Sequence, residues 1–223
     1  MFDEAGDVIE TSRAALVCPL GIFSTRSIAD AAIVAIEQGT TLHLPTSATL
    51  TSSRSANLEA QLLLGPIVPQ IPQHMRIQGC SAAIWRIRAC VPLDELAFEC
   101  WWQEPADNTN SGPNSGEGLD AITWRTPIGA ISLGTEDGEF LKHRGVHRES
   151  MPPSLAQQLN SSAVEYLPHG LRVSLREVPV GSVVQIQFVL AWADADTDQS
   201  PSTWFAVDQR PTDILRQLLH GAG

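Results

Sequence analysis

Residues 14–45, AALVCPLGIFSTRSIADAAIVAIEQGTTLHLP, decide the fold class that the sequence predicts. Two short segments in this stretch, Ala14–Cys18 and Thr40–Leu44, are each followed by a proline and are predicted to be strands. Between them Ile28–Gln38 is predicted to be a helix that ends at Gly39. A strand, a helix and a strand in this order indicate a right-handed crossover between parallel strands.

The predicted helix is apolar around nearly its whole circumference. Ser27 is placed to cap it, and Asp30 three residues later resembles the second residue of a capping box. A helix that is apolar on all sides needs cover on more than one face. We therefore expect Ile33, Val34 and Ile36 to pack in part against a second copy of the chain, with the C-terminal part of the same chain as the alternative cover.

The rest of residues 1–103 completes a predicted α/β module. Ala56–Leu64 is predicted to be a short helix that Gly65 and Pro66 end. Three segments that follow are predicted to be strands: His74–Gln78, Ala82–Cys90 and Leu96–Trp102. In the second of these, Ile84, Arg86 and Arg88 share one face, which indicates a side exposed to water.

This order of elements resembles the SepF cell-division family over residues 14–89. The resemblance implies a module that dimerises. It rests on a strand that ends in proline, a helix that ends in glycine, a second strand, a helix that runs into Leu64-Gly65, and two further strands. The segments that carry it are Leu16–Pro19, Ser27–Gly39, Thr41–Leu44, Leu64–Gly65, Met75–Gly79 and Ile84–Ile87.

The second half of the chain is predicted to be mostly antiparallel strand. Glu104–Gly118 is rich in asparagine, serine, glycine and acid, and is predicted to be a flexible linker or loop. Residues 119–223 follow as a β-rich domain with a short C-terminal helix. The predicted strands are Ala121–Arg125 and Ala130–Leu133 in a hairpin, Leu171–Arg176, Ser182–Trp192 and Thr203–Val207, and the predicted helices are Pro153–Leu159 and Asp213–His220. The predicted fold class is therefore α+β.

Composition limits the classes of partner. The formal net charge is −11, and such a surface repels the phosphates of nucleic acid and anionic lipid headgroups. The apolar run at 14–23 is too short to cross a bilayer. The four cysteines lack metal or redox spacing and are expected to be reduced, mostly buried thiols. We therefore expect a cytoplasmic protein without nucleic-acid or membrane binding.

Asp194, Asp196 and Asp198 alternate as they do at the start of a calcium loop. The loop lacks the glycine of the sharp turn and the closing glutamate, because Gln199 and Phe205 stand at those positions. An acidic hairpin loop after a long strand is the alternative. We expect no cofactor.

One basic run interrupts the acidic chain and is a candidate anion- or partner-binding site. Its members are Lys142, His143, Arg144, His147 and Arg148. The two histidines are four residues apart, but no further ligand follows at a metal-binding spacing. A solvated loop is the alternative for this run.

No nucleophile elbow, phosphate loop or dinucleotide fingerprint is present in the sequence. The six tryptophans lie in or beside predicted strands, where core packing is the ordinary role and stacking on a ligand the alternative. The leading hypothesis is a non-catalytic interaction or assembly protein that self-associates as a homodimer through its N-terminal module. The alternatives are a ligand- or metal-binding β module and an enzyme with a dispersed active site.

Overall fold

The computed structural model describes residues 14–105, 109–116, 118–146, 150–160, 163–195 and 200–221. Within these ranges most of the chain is strand. The strands are β1 (Ala15–Cys18), β2 (Gly21–Ala29), β3 (Ala32–Ile33), β4 (Thr40–His43), β5 (Thr49–Arg54), β6 (Leu58–Pro66), β7 (Gly79–Ala89), β8 (Leu93–Trp102), β9 (Asn110–Pro113), β10 (Leu119–Thr126), β11 (Gly129–Glu136), β12 (Val164–Leu167), β13 (Gly170–Val178) and β14 (Val183–Asp194). The helices are α1 (Gly138–Val146), α2 (Pro153–Ala156), α3 (Ser200–Val207) and α4 (Pro211–His220).

The strands form two antiparallel sheets. One has six strands in the order β1-β2-β8-β13-β12, with β3 paired to β2 beside β1. The other has eight strands in the order β4-β5-β6-β7-β14-β11-β10-β9. The prediction of a β-rich chain is confirmed. None of the helices in the described residues is long and apolar enough to span a membrane.

The two sheets pack face to face over a core of aromatic rings. Phe23 and Trp102 of the six-stranded sheet stack with centroids 5.4 Å apart, and both form T-shaped contacts with Trp124 from the eight-stranded sheet. Trp85 donates its indole hydrogen to Thr25 Oγ1 of the opposite sheet at 2.8 Å. Aromatic pairs in such geometry add about 0.5–1.5 kcal/mol each beyond the burial of their area. The sandwich is thus held by residues from both sheets.

A second core covers the other face of the eight-stranded sheet. There α3 contributes Val207 and α4 contributes Ile214 and Leu218, which pack on Leu63 and Ile84 of the sheet. The middle strands are therefore buried on both faces, and every residue of β11 is buried. Because both faces of these strands are covered, β11 and β14 carry apolar residues at consecutive positions and not only at every second position.

The predicted α+β fold is wrong, and the predicted helix Ile28–Gln38 shows why. Its first two residues end β2, and the chain then reverses at Asp30 and Ala31, whose φ values are +46° and +64°. Positive φ at both central residues is the signature of a two-residue type I′ hairpin turn. Asp30 Oδ1 also accepts hydrogen bonds from the backbone of Asp94 and Glu95, which fixes the turn. A 3-10 turn follows at residues 36–38.

Three further predicted elements are wrong for related reasons. Most of Ala56–Leu64 lies in β6, where alternate side chains face the sandwich core, so the period is two and not 3.6. His74–Gln78 is a turn and loop before β7. Thr203–Val207 is part of α3, because tertiary packing overrides the strand propensity of its threonine, aromatic and valine residues. No parallel crossover exists among the paired strands.

Other sequence predictions are confirmed. The hairpin around Pro127-Ile128-Gly129 is formed by β10 and β11, in full register from Leu119–Glu136 to Thr126–Gly129. The alternating segments 171–176 and 182–192 are β13 and β14. Helices occur at Pro153–Ala156 and Pro211–His220.

Each sheet combines strands from both sides of residues 104–118. In one sheet β8 pairs with β13, and in the other β7 pairs with β14 over ten residue pairs. Within the predicted linker, Asn110–Pro113 forms β9 on β10. Among the described residues, neither those before 104 nor those after 118 form a complete sheet by themselves.

Candidate functional site

A groove of about 670 Å³ lies over β4, β5, β6 and β7. We call it the arginine groove. Its residues lie on the helix-bearing face of the eight-stranded sheet, because Gln61 and Arg86 are two positions from Leu63 and Ile84, which pack on the helices. The groove therefore occupies the part of this face that the helices leave open.

Strand register places the polar side chains of the groove in two rows. In the first row Thr40 is opposite Ser52, Ser52 is opposite Gln61, and Gln61 is opposite Arg86. Residues opposite each other in an antiparallel pair project from the same face. The first row thus crosses four adjacent strands with hydroxyl, hydroxyl, amide and guanidinium groups.

The second row lies beside the first and carries three charges. Arg54 is opposite Glu59, and Glu59 is opposite Arg88. Arg54 Nε lies 3.4 Å from Glu59 Oε1, and Arg88 Nη1 lies 3.9 Å from Glu59 Oε2. The two arginines therefore share one carboxylate.

Arg86 differs from its neighbours because it forms no ion pair with any described residue. Its side chain is exposed in the groove, two residues along β7 from Arg88. The groove thus holds three arginines against one glutamate in a chain of net charge −11. Such a local excess of positive charge attracts anions that the rest of the surface repels.

The wall of the groove depends on a close backbone approach at Gly39. A β-carbon at this position would lie 2.2 Å from the carbonyl oxygen of Ser52. Any larger residue would push the 3-10 turn at residues 36–38 away from β5. Gly39 therefore brings Gln38 to the rim of the groove.

The comparisons with known proteins identify no family. No protein-family model matches the chain, and no curated protein matches it. Among solved structures, a chain described as "Putative kojibiose phosphorylase from human microbiome" is similar, with 5% sequence identity and a TM-score of 0.49. The match covers 88% of this chain and 26% of that chain, so this chain spans about a quarter of its length. A likeness of this strength assigns no function.

The outer face of the six-stranded sheet carries a second charged cluster, which is paired internally. Glu99 accepts from Arg26 Nε at 2.7 Å and lies 3.3 Å from Arg172, which also pairs with Glu95 at 2.9 Å. The guanidinium of Arg26 lies 4.8 Å from the ring centroid of Trp101. The charges of this cluster are already matched, unlike those of the arginine groove.

The structure separates the residues of the predicted basic site. Arg144 is 3% exposed and pairs with buried Glu136 at 2.5 Å. Lys142 and His143 are exposed on the same helix, α1. His147 and Arg148 lie outside the described residues, so the anion site in this run stays a prediction.

The predicted calcium loop begins at the end of β14. Asp194 Oδ2 accepts a hydrogen bond from Gln78 Nε2 at 2.8 Å. Asp196 and Asp198 lie outside the described residues. Among the residues that are described, no group of three or more histidine, cysteine or acidic side chains could hold a metal ion.

The prediction of a self-associating assembly protein is wrong, because the helix that motivated it does not exist. Ile33 is 60% exposed on β3, whereas Val34 and Ile36 are 8% and 2% exposed and belong to the core of the sandwich. Two of the three residues are thus covered within the chain. The SepF resemblance used helices where the structure has a β hairpin and β6.

Burial changes the ionisation of several groups away from the groove. Burial raises the pKa of the Asp120 carboxyl, although the hydrogen bond from Tyr166 opposes this, and it also raises the pKa of Tyr166. Burial likewise raises the pKa of the Asp208 carboxyl and of the thiols of Cys18, Cys80 and Cys100. Such thiols are protonated at neutral pH and are poor nucleophiles.

The arginine groove was missed at the sequence level, although one part of its signal was visible. Of the face predicted to reach water, Arg86 and Arg88 are exposed, whereas Ile84 is buried beneath the helices. Thr40, Ser52 and Gln61 carried no comparable signal. They become a site only through strand pairing that joins residues far apart in sequence.

Proposed function

We propose that the chain is a ligand-binding β-sandwich protein that takes a small anionic ligand in the arginine groove. The observation that carries this proposal is Arg86, whose exposed guanidinium forms no ion pair with the described residues. A guanidinium offers up to five donors in a planar fork that matches carboxylate and phosphate oxygens. Its neighbours Arg54 and Arg88 add positive charge.

The groove also has the dimensions and polarity of a binding site. About 670 Å³ lies within the usual range for sites that hold small molecules. The amide group of Gln61 lies opposite Arg86 on the neighbouring strand and can orient a ligand that the guanidinium attracts, and the hydroxyl of Ser52 lies one strand further along the groove. The site is a binding surface held by four strands, which keeps its groups in place without a ligand.

The proposed compartment is the cytoplasm, and nucleic acid is not a proposed partner. Four free cysteines support a reducing compartment, and three of them are buried. The strongly negative net charge disfavours long polyanions, because most of the surface would repel them.

The proposal is tested by titration with inorganic phosphate at low ionic strength, followed by amide chemical shifts. We expect Arg86→Gln to raise the dissociation constant for phosphate by about tenfold or more, since a charge-assisted hydrogen bond is worth about 1.5–3 kcal/mol. The matched control is Arg176→Gln, which removes an exposed arginine from β13 of the other sheet. Wild-type protein that does not respond, or equal effects of the two variants, would refute the site.

A further inference from the structure

The arginine groove is elongated, and its long direction runs across the strands. The first row extends from Thr40 on β4 to Arg86 on β7, which is three strand intervals. At about 4.8 Å per interval, the row is about 14 Å long. A phosphate or a single carboxylate bound at Arg86 is therefore too small to contact Ser52 or Thr40 as well.

The two ends of the groove differ in chemistry. Arg86, at one end of the first row, only donates hydrogen bonds. Thr40, Ser52 and Gln61 both donate and accept, and Glu59 in the adjacent row accepts only. A ligand that satisfies all of them carries an acid group at the Arg86 end and hydroxyl groups along the remainder.

Dense negative charge along the whole ligand is disfavoured by the same residues. In the first row only Arg86 is charged, and in the adjacent row the Glu59 carboxylate offsets part of the charge of Arg54 and Arg88. The neutral positions of the first row therefore offer no full positive charge to a second or third anionic group. Hydroxyl groups instead donate to this carboxylate and to Gln61. Planar carboxylate and amide groups suit the paired hydroxyls of a sugar ring.

On these grounds we infer that the ligand of the arginine groove is a short acidic oligosaccharide whose acid group meets Arg86 and whose following rings extend towards Thr40. This inference rests on the proposed function and adds the length and the class of the ligand. The geometry that carries it is the line of four polar side chains on four adjacent strands.

The experiment compares a monomer, glucuronate, with a trimer that has a single acid group at one end, glucuronosyl-xylobiose, by calorimetry, using the full chain. We expect the trimer to bind at least about tenfold more tightly, since each added hydrogen bond contributes about 0.5–1.5 kcal/mol. Thr40→Ala should reduce the advantage of the trimer while leaving the affinity for the monomer unchanged. Thr40 is exposed on an edge strand, so the variant should fold.

A matched control is Thr41→Ala, because Thr41 lies on the opposite face of β4 and bonds to Thr51. This variant should bind the trimer as the wild type does. The inference would be overturned if the monomer and the trimer bound equally well, or if Thr40→Ala had no effect. Neither outcome would contradict the binding of phosphate through Arg86. Tighter binding of tripolyphosphate than of the trimer would also overturn it. If phosphate itself fails to bind, the proposed function fails first.

Discussion

Asp120 is a carboxyl that the fold buries between the two sheets. It is 9% exposed and accepts a hydrogen bond of 2.7 Å from the hydroxyl of Tyr166, which lies on β12 of the opposite sheet. Its pKa is raised mainly by burial, and the charge of Asp137 adds to this. The folded state therefore holds the protonated carboxyl better than the ionised one.

Asp120→Asn should melt at a higher temperature than the wild type at neutral pH. A raised folded-state pKa means that Asp120 favours folding in acid and that this contribution is lost as the pH rises through the folded-state value. The asparagine cannot ionise, and its amide oxygen still accepts from Tyr166. The difference should vanish near pH 3, at about which both states of the wild type are protonated. Thermal unfolding followed by circular dichroism across this range measures it.

Tyr166→Phe is the companion variant. It leaves the buried carboxyl without its donor and should be destabilised at neutral pH by about 1 kcal/mol. An asparagine variant that melts below the wild type at neutral pH would show that the tyrosine hydrogen bond to the charged carboxylate outweighs the cost of burial.

The turn between β2 and β3 is the element on which the fold class depends. Ala31 adopts a φ of +64°, a region that costs an L-residue with a β-carbon about 1–2 kcal/mol. Ala31→Gly should therefore stabilise the protein by about 0.5–1 kcal/mol, after the greater entropy of glycine in the unfolded chain is subtracted. Denaturant unfolding provides the measurement.

The sign of this effect distinguishes a hairpin from the helix that the sequence predicted. In the interior of a helix the same change would destabilise the protein by about 1 kcal/mol. As a control, Ala35→Gly changes a nearby alanine that does not have a positive φ. A loss of stability in Ala31→Gly would argue against the turn.

Strands in which apolar and polar residues alternate were predictable from the sequence, whereas the β2–β3 hairpin, in which the chain reverses direction, was not. The strands β13 and β14 and the β10–β11 hairpin follow from alternating side chains and a proline–glycine turn. The β2–β3 hairpin has the apolar composition of a buried helix, and its turn uses Asp30 and Ala31 instead of glycine. Local propensity points to a helix there, and only contacts with β8 decide against it.

The candidate site depended on information that no local pattern holds. Arg86 meets Gln61, Ser52 and Thr40 because of strand register, which is set by the packing of two whole sheets. The basic run, which stood out in the sequence, does not form one site in the same way. Arg144 is buried in an ion pair with Glu136, whereas Lys142 is exposed to solvent.

At the scale of the whole molecule, limited proteolysis should cut first within residues 104–118. Loops rich in small and polar residues are the preferred sites of cleavage. The two fragments should stay together in size-exclusion chromatography and separate only in denaturant, because β7–β14 and β8–β13 join them. A first stable cut within 182–192, or fragments that separate without denaturant, would contradict this arrangement.

The position of β14 has a consequence for synthesis on the ribosome. Of the strands in the described residues it comes last along the chain, yet it lies in the middle of the eight-stranded sheet, between β7 and β11. Until residue 194 has left the exit tunnel, a growing polypeptide holds two partial sheets with apolar, unpaired edges. Nascent chains should therefore need protection by chaperones late in translation, and messages truncated before this strand should yield aggregates instead of a smaller folded product.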